Sequence, residues 1–173
     1  LTFTPGSWDS CMVNLSVPPI PVGDEFYLYY GGARNHHDWW ITGLKEGLKA
    51  PEVTNKEHVE YALGLSKLRL NGFVSIDAGS EREGILITRA LRTDNRKLQI
   101  NALCAIGGEL RVEVTDVDDN VLPGFSREEC DVFTGDSTQA SVSWKGKTEI
   151  THKGALRLRF FMRKASLYSL AFA

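Results

Sequence analysis

Two stretches of this 173-residue chain alternate apolar and polar side chains with a period of two. Leu110, Val112 and Val114 interleave with Glu109, Arg111 and Glu113. Leu156, Leu158, Phe160 and Met162 oppose Arg157, Arg159 and Arg163. Successive side chains of a strand leave opposite faces, so such a pattern buries one face and wets the other. Further strand-like runs fall at 25–30, 61–68, 73–77, 84–91, 97–104, 140–144 and 167–172, with turn-forming residues between them. Short strands at regular spacing predict an all-β chain, an antiparallel two-sheet β-sandwich of jelly-roll-like type. Asn71-Gly72 between two apolar runs predicts a hairpin, because both residues tolerate positive φ. Gly107-Gly108 is expected to separate two strands, and 116–120 to reverse another. Residues 121–139 lack periodicity and are expected to form a crossover.

The first 58 residues differ. Pro5-Gly6, Pro18-Pro19-Ile20-Pro21 and Gly23-Asp24 cut the chain into short pieces around a single strand that ends at Gly31-Gly32. A short helix is expected near 55–61, with Thr54 and Glu57 as a capping box. The predicted organisation is therefore an extended N-terminal segment, 1–58, packed on a β-sandwich domain, 59–173.

With 42% hydrophobic and 24% charged residues, the chain is long enough to bury a core without disulfides or metals. A net charge of −2 gives no basic stripe for nucleic acid, and no apolar run is long enough to cross a bilayer. A soluble chain without nucleic-acid or membrane partners is expected. The sequence opens on Leu1 without a signal segment, so a leader has been removed or the chain is a piece of a longer polypeptide. Cys11, Cys104 and Cys130 match no zinc or redox spacing; they allow at most one internal disulfide, and three buried or free thiols is the plainer expectation. Asn14-Leu15-Ser16 is a glycosylation sequon and favours a secreted or extracellular setting.

The richest cluster of candidate ligand-binding groups runs through Tyr29, Tyr30, Arg34, Asn35, His36, His37, Asp38, Trp39 and Trp40, with Trp8 added from upstream. Aromatic faces stack on the C–H faces of sugars, and polar neighbours hydrogen-bond hydroxyls, the usual blend in a ligand pocket. The competing expectation is that the aromatics are packing anchors. His36 and His37 point to opposite sides of an extended segment, so no metal is expected there. The acidic turn at 116–120 lacks the glycine and distal glutamate of a calcium loop and is expected to be a solvated turn. Asp9, between Trp8 and Ser10, is a candidate acid if an apolar neighbourhood raises its pKa, the plainer expectation being that it caps or stabilises a turn. Asp9 and His37 are the weak catalytic candidates. No acyl-transfer serine elbow or phosphate-binding loop is present, and no cofactor is expected.

Trp8-Asp9-Ser10, the segment from Pro18 to Glu25, Tyr29-Tyr30-Gly31-Gly32 and His37 together resemble the last blade of five-bladed β-propeller proteins related to glycoside hydrolase families 32 and 43. Gly64-Leu65-Ser66, Asn71-Gly72-Phe73, Gly124-Phe125-Ser126, Val142-Ser143-Trp144 and Leu167-Tyr168-Ser169 resemble, in order, the β-sandwich that follows that propeller. The resemblance implies a blade-like N-terminal segment on a sandwich, and a carbohydrate-associated module that binds glycan or supports a glycosidase-like protein. Most blades that would supply catalytic carboxylates have no counterpart in this sequence. The alternative expectation is a small secreted enzyme of other chemistry, holding an apolar ligand in a sandwich cavity. Open sheet edges also allow self-association.

Overall fold

The computed structural model describes residues 7–15, 17–34 and 61–173. Among them the chain is all-β, with two antiparallel sheets of four and five strands, no helix and no closed barrel. It divides into two compact units, Leu1–Leu70 and Asn71–Ala173. The expected boundary near residue 58, and the expected helix with its cap at Thr54 and Glu57, lie outside the described residues; Tyr61 itself is in a strand.

The first unit is built around β3 (Glu25–Ala33). β4 (Tyr61–Arg69) runs antiparallel along its whole length, with Tyr29 opposite Leu65 and Tyr30 opposite Gly64. β1 (Met12–Leu15) and β2 (Ile20–Val22) share the other edge. One face of β3 carries Leu28 and Tyr30, both buried, and the other carries Tyr27 and Tyr29.

Two long strands dominate the second unit, β7 (Leu98–Thr115) and β9 (Arg157–Phe172), paired from Leu98↔Phe172 to Thr115↔Arg157. β5 (Ile76–Ala78) and β6 (Gly84–Ile87) lie along the far edge of β9, and β8 (Asp136–Ser141) along β7. The inner face presents Leu98, Ile100, Leu110, Val112, Val114, Leu158, Phe160 and Met162. Phe125, Cys130, Val142, Trp144 and Ile150, from the connection after β7 and beyond β8, cover it. Trp144 is fully buried, donates its Nε1–H to the Val112 carbonyl at 2.8 Å and meets Phe125 edge to face. The indole thus fills volume without orphaning its polar atom. Lys145 and Gly146, at φ 48° and 79°, form the tight turn that carries Trp144. Its two backbone bonds with Lys147 close that turn.

The outer face of the same sheet is held by ion pairs. Arg159 bonds Glu113 at 3.1 Å, Arg157 and Arg159 share Asp119, and Arg127 grips Glu83 with both Nη atoms while lying over the Phe161 ring.

Two sequence expectations are corrected here. The runs flanking Asn71-Gly72 form no hairpin: Asn71 takes φ 52°, but β4 pairs with β3 and β5 with β9. A three-residue strand gains more from the long edge of β9 than a tight turn alone supplies. Gly107-Gly108 does not separate two strands either. β7 runs through it with a register shift between Cys104 and Glu109, opposite Lys164 at φ 47°. Gly107, at φ 74°, accepts the bulge, and Gly108 lets three backbone carbonyls crowd its Cα.

A Cβ at Gly108 would overlap the Lys164 carbonyl oxygen and lie 2.9 Å from those of Ala105 and Arg163. Gly108→Ala is therefore expected to destabilise the chain by about 3 kcal/mol or more. Gly79→Ala, where nothing lies within 4 Å, should stay within about 0.5 kcal/mol of the natural chain. Urea unfolding of the two variants checks the contrast; equal midpoints would refute the account of the bulge.

Candidate functional site

In the first unit, Tyr30 leaves the inner face of β3 and stacks on Trp8, ring centroids 5.7 Å apart and planes inclined by 14°. Its hydroxyl donates to Asp9 Oδ2 at 2.8 Å, and the Ser7 hydroxyl donates to Asp9 Oδ1. Two glycines make the room. Gly64, directly opposite Tyr30, has no side chain to strike the phenol ring; a Cβ there would overlap Cζ. A Cβ on Gly32 would lie 2.6 Å from Trp8 Cζ3 and 2.7 Å from Asp9 Cβ. Where large rings must lie flat on a sheet, the strands beneath give up their side chains.

These contacts decide the electrostatics of Asp9. The Ser7 hydroxyl first, and the Tyr30 hydroxyl second, stabilise its charged form and hold the carboxyl below its ordinary value of 3.8. The same bond, with burial next, pushes Tyr30 above 10.0. The expectation that an apolar neighbourhood raises Asp9 toward a general acid is thus corrected: two hydroxyl donors reach the carboxylate and outweigh desolvation. At neutral pH Asp9 is an ionised acceptor that orders the 7–9 segment.

The opposite face of β3 is different. Tyr29, 44% exposed, projects there with Tyr27, and on β4 the same face carries Tyr61, Leu63 and Leu65, at 60%, 84% and 44%. Ile20 and Val22 of β2 add to it. At one end Lys67 lies 4.7 Å from the Tyr27 ring centroid and bonds Glu25 at 3.1 Å, so a cation and a carboxylate flank the apolar stretch. Its ammonium is held above 10.5, first by Tyr27 and then by Glu25. Tyr61 faces Ala33, four residues beyond Tyr29, so the two phenols stand about 13 Å apart along the strand direction.

The expected binding set is thereby divided. Trp8 and Tyr30 stack together on the inner face, with Tyr30 only 7% exposed, whereas Tyr29 stands on the outer face. His36, His37, Asp38, Trp39 and Trp40, and with them Asn35, lie outside the described residues. Tyr61, Leu63 and Lys67 were not singled out from sequence. The signal was present: within 61–67 the large side chains fall on odd positions and the small Ala62, Gly64 and Ser66 on even ones.

The other candidates resolve into structure. Asp116 Oδ1 accepts the amides of Asp118 and Asn120, each at 2.9 Å, and Asp119 is committed to Arg157 and Arg159, a self-closed turn. All three cysteines are free, with Cys104 and Cys130 buried and their thiols pushed up chiefly by that burial. Among the described residues no three His, Cys, Asp or Glu side chains gather as a metal site. Comparison with family models, with curated proteins and with solved structures returns no match.

The pH dependence of the Ser7–Asp9–Tyr30 cluster follows from its two shifts. Asp9 contributes stability that is present above 3.8 and is lost as pH falls through its lower folded value. Tyr30 contributes stability that is present below 10.0 and is lost as pH rises through its higher folded value. In Asp9→Asn, the Tyr30 phenol is expected to titrate nearer 10.0 than in the natural chain, observed by ultraviolet difference absorbance. An unchanged phenol titration would disconnect the two groups.

Proposed function

We propose that this chain is a carbohydrate-associated β module that binds glycan through the outer face of its first sheet. The observation that carries the proposal is the exposure of Tyr29 and Tyr61 on one face, with Leu65 beside Tyr29, Leu63 between the two phenols, and Lys67 and Glu25 at one end. A contiguous exposed apolar surface with charged groups at its margin is a typical interaction face. Flat phenol rings offer π-faces to the C–H faces of pyranoses, while the ammonium and carboxylate can bond hydroxyls. The spacing of the two phenols suits an extended oligosaccharide rather than one buried sugar.

The order of motifs similar to the last blade and following sandwich of relatives of glycoside hydrolase families 32 and 43 supports the same class of ligand. It favours binding over hydrolysis. A glycosidase of the usual kind holds two carboxyl groups about 5–10 Å apart, one of them protonated. The hydrogen-bonded cluster around Asp9 contains one carboxylate, and two hydroxyl donors keep it charged. A glycan-facing module of this kind fits a secreted or extracellular setting, in keeping with the sequon.

Soluble oligosaccharides from a broad panel, titrated by microcalorimetry, are expected to include at least one saturable ligand. Tyr29→Ala should weaken it at least tenfold and Tyr61→Ala severalfold. Because both side chains are exposed, the unfolding midpoint should barely move. No binding across the panel, or binding indifferent to both substitutions, would remove the reading.

A further inference from the structure

A second candidate site lies at one end of the five-stranded sheet and owes nothing to the aromatic face. Leu91 and Leu156 bond each other's backbone in both directions, at 2.8 and 3.0 Å, and beyond them the two segments part. They are tied again where the Ile150 amide donates to the Arg96 carbonyl at 3.0 Å, and where Arg96 Nη2 reaches the Lys153 carbonyl at 3.4 Å. Between the ties is an open cleft of about 380 Å³, lined by Arg92, Asp94, Arg96 and Lys153, with Thr93, Gly154 and Ala155 completing its wall. It therefore carries three cations against one carboxylate.

What singles out these cations is that three of them line one cleft. Arg127, Arg157, Arg159 and Lys145 each hold a carboxylate within 3.3 Å. Among the described residues, Arg92, Arg96 and Lys153 hold none. Arg96 is moreover half-buried, and its Nη1 is enclosed without an acceptor. Withdrawing a guanidinium from water without a counter-charge is unfavourable, and an anion held in the adjoining cleft offsets that penalty. Guanidinium groups present forked donors that match an oxyanion, and a lysine adds a mobile point charge. From this we infer that the cleft is an oxyanion site, taking a phosphate or sulfate group either as the free ion or at the end of a larger molecule. Asp94 opposes the anion and limits its affinity. The inference does not rest on glycan binding by the first sheet, and either can fail alone.

Inorganic phosphate titrated into the whole chain, with chloride at matched ionic strength as reference, tests it. Phosphate is expected to bind saturably in calorimetry and to raise the melting temperature, and chloride to do neither. The double variant Arg92→Ala with Lys153→Ala removes two exposed side chains and should weaken phosphate at least tenfold with little change in melting temperature of the free protein. Asp94→Asn should tighten it severalfold. Equal effects of phosphate and chloride, or undiminished binding by the double variant, would overturn the assignment. A sulfated and a phosphorylated monosaccharide then separate the sources. Tighter binding than inorganic phosphate, lost in the double variant, supports a carried group, and equal or weaker binding supports the free ion.

Discussion

The antiparallel pairing of β7 with β9 is the constraint from which the second unit follows. Two strands of 18 and 16 residues, paired from Leu98↔Phe172 to Thr115↔Arg157 with a bulge between Cys104 and Glu109, make a ribbon with an apolar face on either side of that bulge. That face is too long to leave wet, and the residues between β7 and β9 have no regular structure of their own large enough to cover it. They answer with single large side chains placed by tight turns. Trp144 is the chief of these, anchored by one hydrogen bond to the very strand it covers. On the reverse face the arginines of β9 find carboxylates at 113 and 119, so the ribbon's polar side is cross-braced rather than merely solvated.

The first unit solves the same problem with the opposite distribution of volume. Among the described residues its inner face buries Leu28 and Tyr30, with Trp8 stacked on Tyr30, and two of those three are rings lying flat. Glycines and other small residues under the rings allow them to approach the backbone. The larger apolar residues of β4 are then displaced outward, where they stand exposed beside Tyr29. Exposure of the outer face and burial of the Tyr30 ring are thus two results of one packing arrangement.

Much of this was legible in the sequence, for identifiable reasons. Alternation at 109–115 and 155–163 marks a buried and a wet face, and residues 109–115 lie in β7 and 157–163 in β9, with Leu156 in a bridge just ahead of it. The same rule failed where the phase slips. The buried residues of β9 run Leu158, Phe160, Met162, then Ala165 and Leu167, so one strand resembles two. Nor could spacing alone show which side of β4 is inside, since a strand whose small residues face the core inverts the ordinary hydrophobic signal. For the site, the sequence offered Trp8, Tyr29 and Tyr30 as one group because they are near in the chain and similar in chemistry. Adjacent strand residues point apart, and only the register with Gly64 explains which phenol was turned inward. The basic cleft leaves no mark in the sequence, because Arg96 and Lys153 are 57 positions apart and meet only through the Leu91–Leu156 pairing.

The bulge at Gly107, Gly108 and Lys164 governs size as well as phase. Sixteen residues of straight strand would reach about 50 Å, well beyond the width of a compact body of some hundred residues. Bending both strands together lets two arms share one short interior. The same point is a hinge of meaning for the sequence: adding or deleting a single residue there would exchange inside for outside along an entire arm. Drift can therefore rewrite many outward-facing positions of these strands, while the length of the chain between Cys104 and Glu109 stays fixed.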